Sequence, residues 1–171
     1  LHAAVVNVSG PLLRRYFKLK AEILGVPVLL WSDRNAPLPF SDTAQIPYDE
    51  ALKTVLAAYE SFSPTLAGII RTMIAEKRID APATTGKRGG AFNYSFSLPG
   101  EKPVSFTFLN YLGSSTDVMT VAHELGHGVH GILAGEAQGT LMSGAPTAYA
   151  ETASTFGEAI TSDFLKKGMQ E

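Results

Sequence analysis

The stretch from Ser114 to about Ala134 constrains this chain more than any other. It has the apolar spacing of an amphipathic helix, with Val118, Val121, Leu125, Val129 and Ile132 recurring at three- and four-residue steps. Ser114 and Asp117 offer a capping box at its start. Gly126, Gly128 and Gly131 sit inside it, and each glycine weakens a helix by about 1 kcal/mol relative to alanine. Such a helix is held by its neighbours, so the fold must bring other elements unusually close to it.

The same helix carries three of the four histidines: His123, His127 and His130. Positions four apart lie about 40° apart around a helix axis, with Cβ atoms about 5–6 Å apart. Two imidazoles so placed close on one ion at about 2.0–2.1 Å each, as tetrahedral zinc requires. Glu124 is about 100° round from His123, so it flanks the ion without binding it. A carboxylate there can take a proton from a water that the ion has acidified, which is a hydrolase arrangement. His130 shares the face but lies about 4.5 Å further along the axis than His127, so one straight helix cannot deliver all three rings to one centre. It is expected to pack or to hydrogen-bond nearby rather than to ligate. The metzincin spacing also fails, because His130 and Ala134 stand where that pattern needs Gly and His.

A catalytic zinc wants a third protein ligand and an open position. The candidates downstream are Glu136, Glu151, Glu158 and Asp163. A helix is predicted from Pro146 to Gly168, and it sets Glu151 and Glu158 on one face, seven residues apart. Such a helix can bring one carboxylate to the metal and a second to hold a histidine ring through its other nitrogen. Glu136, between Gly135 and Gly139, reads as loop. Ala150, Thr152 and Ala153, like the three glycines of the first helix, permit close helix approach.

Upstream, the pattern predicts helices over 11–24, about 48–60 and 63–79, and a short strand over Val28–Trp31. A hairpin follows. Phe92, Tyr94 and Phe96 alternate with polar residues, Val104–Tyr111 is the partner, and Pro99-Gly100 suits a type II turn between them. The aromatic alternation, with Phe106 and Phe108, reads as core. Lys87 and Arg88 read as a solvated loop pair. The expected fold is therefore mainly α (α+β): a helical zincin-type core with a small antiparallel hairpin or sheet beside the histidine helix, in one domain over 1–171.

Composition closes other routes. A net charge of −2 argues against a polyanion binder, so no nucleic-acid partner is expected. The longest wholly apolar run, Val26–Trp31, is too short to span a bilayer. There are no cysteines, which removes thiol chemistry and suits a reducing compartment such as the cytoplasm. Charged residues make up 18%, against roughly 25% for an average domain. Together with an opening at Leu1, that deficit reads as a piece of a longer polypeptide with an apolar face open to self-association.

His123-Glu124-Leu125-Gly126-His127-Gly128-Val129-His130 and Tyr149 through Glu158 resemble the oligoendopeptidase F and thimet oligopeptidase family, closest to the oligoendopeptidase F branch. Gly86-Lys87-Arg88-Gly89-Gly90-Ala91-Phe92, Tyr16–Leu24 and Trp31–Leu38 extend the likeness over nearly the whole chain. The resemblance implies one Zn²⁺ held by His123, His127 and Glu151, with Glu124 as general base, in an endopeptidase for short peptides. It implies that Gly90, Ala91 and Phe92 lie beside the site, where the strand could pair with a substrate backbone. It also implies a His and tyrosines, from a glycine-rich loop well beyond the third ligand, that steady the substrate carbonyl; the 171 residues end before that loop, so metal binding is the firmer expectation for them than turnover. The rival reading is a helical core kept for packing or partner contact without catalysis, and zinc content separates the two.

Overall fold

A computed structural model describes residues 2–39 and 45–168. The described residues divide into two compact units, 2–39 and 45–168. The first holds α1 (His2–Leu24) and a 3₁₀ turn, Trp31–Asn35. Helix α1 begins nine residues before the predicted start and runs through Pro11. A proline inside a helix loses one backbone bond and crowds the carbonyl four residues back, so the pattern favours a start at Pro11, yet the helix continues upstream of it. The helix ends as predicted at Gly25, with φ +69° and paired bonds from Gly25 N–H to Glu22 O and from Val26 N–H to Ala21 O. Leu12, Leu13, Tyr16 and Leu19 on its apolar face are exposed.

Val28–Trp31 is not a strand. No neighbouring strand pairs with it among the described residues, and Asp33 instead folds the segment into the 3₁₀ turn by accepting from Leu30 N–H at 2.8 Å. Lys20, buried in α1, donates to Arg34 O at 2.7 Å.

The second unit runs α2 (Tyr48–Phe62), α3 (Pro64–Ala75), β1 (Ile79–Pro82), β2 (Phe92–Phe96), β3 (Val104–Tyr111), α4 (Ser115–Gln138) and α5 (Thr147–Gly168). Mainly helical with one small sheet, the fold is the expected mainly α (α+β) class. Helix α3 stops four residues short of the predicted Ile79. Lys77 takes φ +55°, Arg78 N–H returns to Met73 O, and Ile79 opens β1, parallel to β3. The sheet is therefore mixed, in the order β1-β3-β2, with β2 on an edge. The hairpin forms as predicted, and its register sets Phe92 opposite Phe108 and Phe96 opposite Val104. Gly100 at φ +80° and the Glu101 N–H to Leu98 O bond match the predicted turn.

The sheet faces the opposite way from the expectation. Phe92, Tyr94, Phe96 and Phe106 are exposed, at 40–65% of their surface, while Ser105 and Thr107 are buried under α4. Helix α4 explains this. A Cβ on Gly131 would lie 2.1 Å from Ser95 Oγ, and one on Gly135 would lie 2.5 Å from Pro103 Cγ, so the helix backbone rests almost directly on the strands. Only small side chains fit beneath these two glycines. Their polar atoms satisfy one another: Asn93 Nδ2 donates to Ser105 Oγ at 2.8 Å and to Thr107 Oγ1 at 3.0 Å, and Ser95 Oγ donates to Asn93 Oδ1 at 3.0 Å.

Val118, Val121, Leu125, Val129 and Ile132 are all buried as predicted, against Val55, Tyr59, Ile70, Met73 and Leu109. Helix α4 runs on past Ala134 to Gln138, so Glu136 is helical and exposed rather than in a loop.

Candidate metal and peptide site

Helix α4 opens on the predicted capping box: Ser114 Oγ accepts from Asp117 N–H at 3.1 Å, and Asp117 Oδ2 accepts from Ser114 N–H at 2.8 Å. Two turns on, His123 and His127 leave the same face with ring centroids 4.8 Å apart and planes at 84°. Helix α5 crosses here. Gly126 of α4 and Gly157 of α5 let the backbones meet, because a Cβ on Gly126 would stand 2.7 Å from Ala153 O and one on Gly157 2.5 Å from Ala122 O. The glycines divide their work. Only Gly126 meets α5, while Gly128 abuts Met73 and Asn93, and Gly131 abuts Ser95.

The crossing brings Glu151 Oε2 to 3.3 Å from His123 Nε2 and 3.6 Å from His127 Nε2. Two ligands at about 2.0–2.1 Å from one tetrahedral zinc are themselves about 3.3–3.4 Å apart. Among the described residues, His123, His127 and Glu151 are the group whose donor atoms converge, all within 4.8 Å of one another. His130, Glu136 and Asp163 are not in it. His130 lines the same cleft, and Asp163 pairs with Lys167 at 2.8 Å. Glu158, one α5 heptad beyond Glu151, accepts from His123 Nδ1 at 2.6 Å. That bond leaves the Nε2 lone pair of His123 turned toward Glu151.

Glu124 is 5% exposed, and its Oε2 is buried without a hydrogen-bond partner. Burial pushes its carboxyl up to about 7; the His123 ring pulls it down and Glu151 adds to the rise. Burial also holds the His127 ring below the usual histidine range against the pull of Glu151, which keeps it neutral and able to ligate. Two nitrogens and one carboxylate suit zinc, and the unpaired Glu124 oxygen suits a base beside it.

Two adjoining clefts meet at this group. Gly90, Ala91, Asn110, Thr120, His123 and Glu124 line one; Ala91, Phe92, Ser95, His127, His130 and Glu151 are among those lining the other. The predicted Gly90, Ala91 and Phe92 thus lie at the site, where β2 has a free edge. Ser154 was not singled out from the sequence. It is fully buried, and its Oγ donates to Glu151 Oε2 at 2.8 Å; its signal was a serine one helical turn after a candidate ligand. Tyr59, buried on α2, donates through its hydroxyl to Ala122 O at 3.1 Å between Gly126 and Gly157. Lys87 is no solvated loop residue, since its side chain is only 8% exposed.

Residues 58–170 match the model of Peptidase family M3. The chain is 31% identical over 166 residues to the group B oligopeptidase PepB of Streptococcus agalactiae, which covers 97% of this chain and 27% of that protein. It is 32% identical over 157 residues to the chromosomal oligoendopeptidase F of Lactococcus lactis subsp. cremoris, covering 92% of this chain and 25% of that one. Among solved structures, a candidate oligoendopeptidase F from Bacillus anthracis superposes with a TM-score of 0.80 at 22% identity, over 96% of this chain and 30% of that one. The chain therefore spans about a quarter of the length of the curated relatives it matches. With a family match over residues 58–170 that takes in both α4 and α5, the chain belongs to Peptidase family M3, on the oligoendopeptidase F side.

Proposed function

We propose that these residues form the metal-binding part of a zinc-dependent endopeptidase that hydrolyses short peptides. One observation carries the reading: His123 Nε2, His127 Nε2 and Glu151 Oε2 converge beside a buried Glu124 oxygen with no partner. In this reading His123, His127 and Glu151 hold one Zn²⁺, which when bound acidifies water and polarises the scissile carbonyl. Glu124 receives a proton from the attacking water and returns it to the departing amine. Glu158 fixes the His123 ring, Ser154 fixes the Glu151 carboxylate, and the segment Gly90 to Phe92 leading into the edge strand β2 pairs with the substrate backbone. The 171 residues are then one part of a larger catalytic domain, in keeping with the share of the relatives that they span. No helix among the described residues is long and apolar enough to cross a membrane. The cysteine-free sequence suits the cytoplasm, where we place the reaction.

Elemental analysis tests this directly. Chain purified without chelator is expected to carry close to one zinc; a metal-free preparation that also refuses added zinc ends the reading. Glu158→Gln is expected to retain the site but to weaken zinc binding about 10–100-fold, because the amide no longer holds His123 Nδ1–H as a charged acceptor. Competition with a chelating dye measures the shift, and an unchanged affinity removes Glu158 from the site.

A further inference from the structure

The loop between β1 and β2 carries Gly86 and Gly90 at φ +84° and +90°, so its backbone has little stiffness of its own. Two side chains pin it. Lys87 Nζ reaches Asp80 O at 3.1 Å, Asp80 Oδ1 at 2.9 Å, Pro82 O at 2.9 Å and Leu109 O at 2.7 Å, and lies 4.4 Å from the centre of the Phe108 ring. An ammonium is buried at tolerable cost only when its hydrogens are satisfied, and here β1 and β3 both supply oxygens. Asn110, on β3, donates through Nδ2 to Arg88 O at 2.9 Å and to Gly90 O at 3.0 Å. The loop is thus tied down on either side of Gly89, and its last residues form the cleft wall facing His123 and Glu124.

We propose that Lys87 and Asn110 are positioning residues: they hold Gly90 and Ala91 so that the free edge of β2 meets a peptide backbone at a set distance from Glu124. The inference rests on the peptidase reading above. Neither side chain belongs to the converging donor group. Their effect is on the peptide. An edge fixed in advance spares the bound complex the cost of ordering the loop, and a misplacement of about 1 Å at a reacting centre costs on the order of 10²-fold in rate.

The test uses the zinc-loaded chain carrying Glu124→Gln, so that bound peptide is not consumed. The probe is a dye-labelled pool of octapeptides of randomised sequence, read by fluorescence anisotropy. Adding Asn110→Asp keeps the side-chain shape but sets a carboxylate against two carbonyl oxygens; adding Lys87→Met removes the charge that gathers β1 and β3. Each is expected to weaken peptide binding at least tenfold, to speed amide exchange at residues 88–91, and to leave zinc content and α4 amide protection unchanged. Undiminished peptide affinity in both variants overturns the inference. So does loss of zinc together with α4 protection, which makes the two residues supports of the whole unit. If the Glu124→Gln chain itself fails to bind the pool, the peptidase reading falls, and this inference with it.

Discussion

On the proposed mechanism, a Glu124→Gln variant is expected to lose at least about 10²-fold in hydrolysis of a quenched fluorogenic peptide, the usual contribution of general acid–base catalysis, and to keep the zinc content expected of the unaltered chain. The amide matches the carboxylate in shape and fills the same buried position, so packing around Leu125 and Val121 is undisturbed. Its oxygen is too weakly basic to take a proton at neutral pH. Glu124 is not among the three residues whose donor atoms converge, so the metal has no reason to leave. Parallel assays of cleavage and of elemental zinc separate the outcomes. Undiminished cleavage would remove Glu124 from the chemistry. Zinc lost along with activity would make it a ligand or a structural support.

The elements that carry the site were legible because their signals are local. The Ser114–Asp117 box marks the start of α4, its apolar spacing gives the buried face, and the seven-residue step from Glu151 to Glu158 puts both carboxylates on one side of α5. The hairpin was legible from Pro99-Gly100 and the alternation on either side. What stayed hidden depends on partners. Strand β1 has only four residues, Ile79–Pro82, and exists because β3 pairs with it from far along the chain. Alternation of Phe92, Tyr94 and Phe96 with Asn93 and Ser95 sets the period but not which face is covered. The glycines of α4 decide that, by admitting only small side chains beneath the helix. Gly126 and Gly128 are about 200° apart around the axis, so they could not both have faced α5. Lys87 reads as solvent-exposed until its loop folds back over β1 and β3.

Gly157→Ala is the most damaging single-methyl change that the crossing of α4 and α5 allows. Its Cβ would stand 2.1 Å from Tyr59 Oη and 2.5 Å from Ala122 O. Neither can yield freely. Tyr59 is 1% exposed and hydrogen-bonded to that same carbonyl, and Ala122 is α4 backbone next to His123. Helix α5 must therefore move outward, taking with it Glu151 and Glu158, the two carboxylates that reach the rings of α4. Overpacking of this kind costs about 1–3 kcal/mol, which lowers Tm by roughly 2–4 °C per kcal/mol in a chain of this size. Zinc affinity is expected to drop at least tenfold, because the carboxylate and the two imidazoles no longer share one centre. Gly68→Ala is the internal comparison. It also lies in a helix, nothing stands within 4 Å of the added methyl, and it is expected to be neutral or to stabilise by about 0.5–1 kcal/mol. Thermal melts and chelator competition should show both losses in Gly157→Ala and neither in Gly68→Ala. If Gly157→Ala instead melts and binds zinc like Gly68→Ala, the contact between α4 and α5 is not what brings Glu151 to the histidines.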